Sequence, residues 1–189
     1  MKYELLHLKQ FFPNLGTQSG DPLVKVYLPD NLTEMGRGDE RRPCLIVCPG
    51  GAYEFCSQRE AEPIAFHFLP EGFNVFVLLY SVAPHHYPAQ QCEAAALIEL
   101  INQNADIWHC DTGRIALMGF SAGGHLAAQY ATSYDSSAIR TVIPNSKPVQ
   151  DSPGLSGDHG RSEMDAPDQY DCVNRKRPLF TRGTLSIFM

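Results

Sequence analysis

The chain has 189 residues, of which 43% are hydrophobic, and a formal net charge of −6. That length suits one domain with a substantial core, and the absence of a basic run, aromatic–basic interleaving or a high pI gives no footing for nucleic acid. Charges interrupt the short apolar stretch of residues 1–9, which makes a poor signal peptide, and no segment approaches the apolar length of a membrane span. The expectation is a soluble, cytoplasmic protein.

In chain order, residues 3–8 and 23–28 alternate apolar and polar, as antiparallel or edge strands do. Residues 31–42 are polar and glycine-containing, a surface connection. Residues 44–48 (CLIVC) are continuously apolar and run into Pro49-Gly50-Gly51. A strand apolar on both faces belongs in the middle of a sheet covered on each side by helices. Residues 59–69 have helical spacing, closed by Pro70-Glu71-Gly72, and 73–80 form a second buried strand. A loop bearing His85 and His86 follows, then a long helix over 89–104 and a third buried strand over 114–118. Strand and helix alternate in this way in a doubly wound, mostly parallel α/β sheet, whose ligands sit beyond the carboxyl ends of the strands. Pro49-Gly50-Gly51, His85-His86 and the turn after residue 118 should therefore converge.

That last turn is Gly119-Phe120-Ser121-Ala122-Gly123, a G-x-S-x-G between a strand and a helix. In this setting the pattern is the nucleophile elbow, which lifts a serine hydroxyl clear of the sheet. Ser121 is the candidate nucleophile. Such a serine needs a base to take its proton and preorganised donors for the oxyanion. One donor is the N–H of Ala122, and the loop at residues 49–53 occupies the place of the other, with a helix from Arg59 directing its positive end toward it.

CPGGAY (48–53), SQREAEPIA (57–65), YSVAP (80–84) and GFSAGGH (119–125) stand in this order, and the chain resembles the bacterial α/β-hydrolase esterases. It is most similar to the acetyl-esterase and acetyl-xylan-esterase-like group, over roughly residues 20 to 148. The resemblance implies a carboxylic ester hydrolase without cofactor, with Ser121 as nucleophile and Gly51, Ala52 and Ala122 as oxyanion-hole donors. A small-molecule or carbohydrate ester is the implied substrate, and Tyr53, His85 and His86 are the candidate pocket residues. A related peptidase or aryl-formamide hydrolase shares the same elbow. His125 is expected to be carried away from the mouth by its helix into a packing role. Ser57 reads as a helix N-cap, and His67 and His109 have no visible partner. Six scattered cysteines (Cys44, Cys48, Cys56, Cys92, Cys110, Cys172) lack a C-x-x-C pair, so no metal is expected.

The family places its acid and histidine after later strands, and the text stops resembling it after Gln150. Residues 1–150 thus read as a partial α/β-hydrolase domain with its sheet incomplete, and 151–189 as a non-native or disordered tail without a buried-strand run. Asp158-His159-Gly160 comes too early to hold the general base. With chosen codons, the tail read one nucleotide later contains AYPVITAG, a strand and turn such as the family would place next, so a frameshift near codon 150 is expected. Activity should then be nearly absent, and a half-sheet would leave an edge open to self-association. A non-catalytic remnant is the competing reading.

Overall fold

The structure, a computed structural model, describes residues 1–15, 19–133 and 184–188. The alternating first segment forms strand β1 (Lys2–His7), followed by a four-residue helix, α1 (Leu8–Phe11). Strand β2 (Leu23–Leu28) pairs antiparallel with β1, Lys2 opposite Leu28 and His7 opposite Leu23. Then β3 (Arg42–Cys48), α2 (Glu62–Phe68), β4 (Asn74–Leu79), α3 (Ala89–Gln103), β5 (Cys110–Gly119) and α4 (Ala122–Ser133) alternate, and β6 (Thr184–Phe188) completes a six-stranded sheet. The strand order is β1-β2-β4-β3-β5-β6. β4, β3, β5 and β6 run parallel, while β2 meets β4 antiparallel.

The continuous apolar runs divide between the two faces of this sheet by simple alternation. Ile46, Phe76 and Leu78 point to one side, where they pack with Leu97, Ile98 and Ile101 of α3 and with Trp108. Leu45, Val47, Val75 and Val77 point to the other, against Ala61 and Ala65. All of these side chains are buried. The parallel strands end together at Cys48, Leu79 and Gly119, so the three connections after them share one edge.

Two expectations are corrected. The helix anticipated from Arg59 starts later: Gln58–Glu60 is a single 3-10 turn, Ala61 breaks the path (φ −111°, ψ −100°), and α2 begins at Glu62. Pro63 explains the boundary, because a proline is tolerated in the first helical turn but removes an N–H anywhere later. The positive end of a helix from Arg59 is therefore not available to the loop after β3. Second, the tail does contain a strand. Thr184–Phe188 alternates apolar and polar with β-favouring residues and pairs parallel with β5, Ile115 opposite Leu185 and Met118 opposite Phe188. It lies on the β5 edge that an incomplete sheet would expose. The remainder of the tail reading, including Asp158-His159-Gly160, falls outside the described residues.

Asn74, at the start of β4, ties the sheet to the turn before β5. Its amide donates to Trp108 O at 2.9 Å and to His109 O at 3.4 Å, in a buried setting. Asn74→Ala should lower the unfolding free energy by about 1–3 kcal/mol, the penalty of leaving a buried carbonyl short of a donor. Urea denaturation measures it.

Candidate active site

The turn from Gly119 to Gly123 is held tight by backbone contacts. Ser121 has φ 51°, the left-handed region that residues with a side chain rarely occupy. Its side chain is exposed while Ala122, Gly123 and Gly124 are buried behind it. A Cβ on Gly119 would collide with the Gly123 carbonyl. One on Gly123 would collide with the Cys48 carbonyl and lie 2.5 Å from that of Pro49. The first turn of α4 thus rests directly on the end of β3, and Phe120 N–H donates to Cys48 O at 3.1 Å across the same junction. Holding a serine in this conformation costs roughly 1–3 kcal/mol, which only a turn fixed from both sides sustains.

The loop after β3 is strained in the same manner. Gly51, Ala52 and Tyr53 have φ of 134°, 53° and 61°. A Cβ on Gly51 would collide with the Phe55 carbonyl, and Glu54 N–H and Phe55 N–H both reach Gly51 O, at 2.9 and 3.2 Å. Four contacts hold the loop to the body. Tyr80 Oη donates to Pro49 O at 2.6 Å, and Ala83 N–H donates to Tyr53 O at 2.7 Å. Gly50 N–H donates to Glu60 Oε2 at 2.9 Å, and Ser57 N–H to Gly50 O at 2.8 Å. Ser57 is buried but makes no side-chain cap, so its expected capping role is corrected. A Cβ on Gly50 would lie 2.7 Å from Phe120 O and 3.1 Å from Ser121 Cβ, so loop and elbow touch. Among the described residues, no hydrogen bond uses the backbone N–H of Gly51, Ala52 or Ala122.

Beside them lies a cleft of about 230 Å³, lined by Tyr53, Tyr87, His85, His86, His125, and Gln90, Gln91 and Gln129. The three sequence-proposed pocket residues are thus brought together. His125 is a correction: it is exposed, lines this cleft, and its Nδ1 is 2.9 Å from Tyr53 Oη, with the two rings edge to face. One helical turn carries it along the mouth and does not carry it away. His67 is exposed on α2 against Phe68, and His109 sits at φ 50° in the turn before β5. Neither lines this cleft.

A family model described as BD-FAE matches residues 25–153. The chain belongs to the BD-FAE family. It is 33% identical over 115 residues to endo-1,4-beta-xylanase B of Butyrivibrio fibrisolvens, covering 58% of this chain and 18% of that protein. It is 29% identical over 128 residues to an acetylxylan esterase of Xylanibacter ruminicola, covering 66% of this chain and 24% of that one. Among solved structures, the α/β hydrolase MGS-M1 from a Medee basin deep-sea metagenome library superimposes with a TM-score of 0.58 at 38% identity. That match covers 67% of this chain and 49% of the other. The chain therefore has the α/β-hydrolase fold of a family whose named relatives include esterases, and it spans half or less of each of these relatives.

Two acidic residues of this BD-FAE chain escaped the sequence reading. Glu60 accepts the Gly50 N–H, as above. Glu93, on the first turns of α3, is fully buried and accepts from Ser19 Oγ and, at 2.7 Å, from Ser81 N–H. With Gln90 donating to Ser81 O at 2.7 Å, it fixes the connection that carries His85. A helical glutamate looks solvated in sequence. Its burial depends on Ser19, 74 positions away. No metal-binding group of three or more His, Cys, Asp or Glu side chains occurs among the described residues.

Two outcomes follow from this geometry. Gly123→Ala forces backbone against backbone at the β3–α4 junction and should destabilise by about 3 kcal/mol or more, read by urea unfolding. Burial raises the Glu93 carboxyl above the usual glutamate range, with the bonds from Ser19 and Ser81 opposing it in part. A carboxyl raised on folding holds its proton more tightly in the native chain. Its stabilising contribution is complete below the unfolded value and is lost as pH rises through the folded one. Glu93→Gln removes the titration. The stability of the wild type relative to this variant should fall as pH rises above the ordinary glutamate value of about 4.3, measured by paired urea titrations, and a constant difference would exclude it.

Proposed function

We propose that the chain carries the nucleophile and oxyanion-binding half of a serine ester hydrolase. The observation that carries this reading is Ser121, exposed at φ 51° on a turn pinned by Gly119 and Gly123, and in contact with a second strained loop. In this reading Ser121 Oγ attacks the ester carbonyl carbon as a base takes its proton, and the carbonyl electron pair moves to oxygen. The N–H groups of Gly51, Ala52 and Ala122 receive that oxyanion. The alcohol leaves with a proton, and water then cleaves the acyl-enzyme to the acid and free serine. The cleft beside Tyr53 suits a hydroxyl-rich alcohol, because tyrosines, imidazoles and amides offer stacking and hydrogen bonds. The acetylxylan esterase relative supports a carbohydrate ester as substrate.

Among the described residues, no imidazole is hydrogen-bonded to the Ser121 hydroxyl. We therefore expect turnover on the order of 10⁴-fold or more below that of a complete hydrolase. Residues 151–189 are part of the same proposal as a non-native tail, supported by the family match ending at residue 153. The reduced thiols of Cys44, Cys48, Cys56 and Cys110 support a cytoplasmic setting. Self-association across the outer sheet edge also belongs to this reading, and no helix among the described residues is long and apolar enough to cross a membrane.

A fluorophosphonate probe tests the nucleophile. Slow labelling of the wild type that disappears in Ser121→Ala is expected. Labelling that survives the substitution would remove Ser121 from the role, and rapid Ser121-dependent labelling would show that a base is present after all. A panel of aryl acetate, peptide and formamide substrates separates ester from amide chemistry.

A further inference from the structure

The cleft-facing pair Tyr53–His125 joins the two strained segments. Tyr53 is the third residue in succession with positive φ on the loop after β3, directly following Ala52. His125 belongs to α4, whose first residue is Ala122. The 2.9 Å contact between Tyr53 Oη and His125 Nδ1 is thus a side-chain bridge from the loop that bears the proposed donors Gly51 and Ala52 to the helix that bears Ala122. The remaining braces of the loop come from other quarters. Tyr80 and Ala83 belong to the segment after β4, and Glu60 lies on the 3-10 turn ahead of α2.

We infer that His125 is a positioning residue: through Tyr53 it holds the Ala52 N–H in register with that of Ala122. The inference rests on the reading of both as oxyanion donors. Left-handed backbone at Ala52 and Tyr53 costs about 1–3 kcal/mol per residue and relaxes wherever the surroundings cease to determine it. An oxyanion donor acts through its fixed aim, and a displaced N–H forfeits most of its stabilisation of developing charge. Neither side chain need touch the reacting atoms for this. Asparagine is the informative replacement, since its side-chain amide can stand where Nδ1 stands.

The full chain is compared with His125→Ala, His125→Asn, Tyr53→Phe and the Tyr53→Phe/His125→Ala double variant in two measurements. The first is hydrogen exchange at the amides of Glu54, Phe55 and Ser57, which close the loop onto Gly51 and Gly50. Each single loss should speed exchange there by about ten-fold, with unchanged urea midpoints, and His125→Asn should return it to within about three-fold of wild type. The second is fluorophosphonate labelling of Ser121. Its limiting rate should fall by about ten-fold in each single loss and no further in the double variant. Wild-type exchange in His125→Ala, or losses that multiply in the double variant, would overturn the inference. If the wild type is not labelled at Ser121, the nucleophile reading fails, and the exchange measurement still decides the bridge.

Discussion

The site depends on one close approach. Gly123 lies beneath the carbonyls of Cys48 and Pro49, so the helix leaving the elbow meets the end of the central strand with no side chain between them. Everything at the mouth is referenced to that contact. It fixes where α4 begins and so where the Ala122 N–H lies, and it forces the path from Gly119 to Gly123 into a turn tight enough to put Ser121 in the left-handed region. Because β3 is paired in parallel on both sides and buried on both faces, the contact is made to the least deformable part of the sheet.

Among the described residues, strain is not scattered. Of the four described residues with a side chain and positive φ, three (Ala52, Tyr53 and Ser121) flank one junction, and His109 is the fourth. Such conformations persist only where several independent contacts hold them. Here those contacts come from the end of β3, the segment after β4, the turn before α2 and the elbow helix. Convergence of four chain segments on a few strained residues is what separates this edge from an ordinary loop.

How much of this was legible follows from what each feature depends on. The central strands were readable at Cys44–Cys48 and at 73–80 because continuous burial leaves a continuous apolar text. The tight turn after β5 was readable because a backbone approach admits only glycine, and Gly119 and Gly123 print that demand in the sequence. Glu60, Glu93 and His125 were not readable in their roles. Each is a polar residue in or beside a helix, and its partner (Gly50, Ser19 or Tyr53) is set by tertiary approach, not by local pattern. The late start of α2 was visible in principle at Pro63, which permits a first turn and nothing earlier. TLSIF near the end was likewise a plain alternation, hidden by the low apolar content of the segment that precedes it.

The placement of carboxylates near the mouth agrees with the chemistry proposed there. An oxyanion forming beside Ala52 and Ala122 would be opposed by any bare carboxylate aimed into the same space, since like charges a few ångströms apart repel by several kcal/mol once water is thinned out. Glu60 and Glu93 are close in sequence to the segments that line the edge, yet both are engaged by backbone N–H groups, of Gly50 and Ser81. The cleft itself carries tyrosine, histidine and glutamine and no acidic side chain. Glu60 and Glu93 therefore brace the two loops, while the cleft lining offers hydrogen bonds without fixed negative charge.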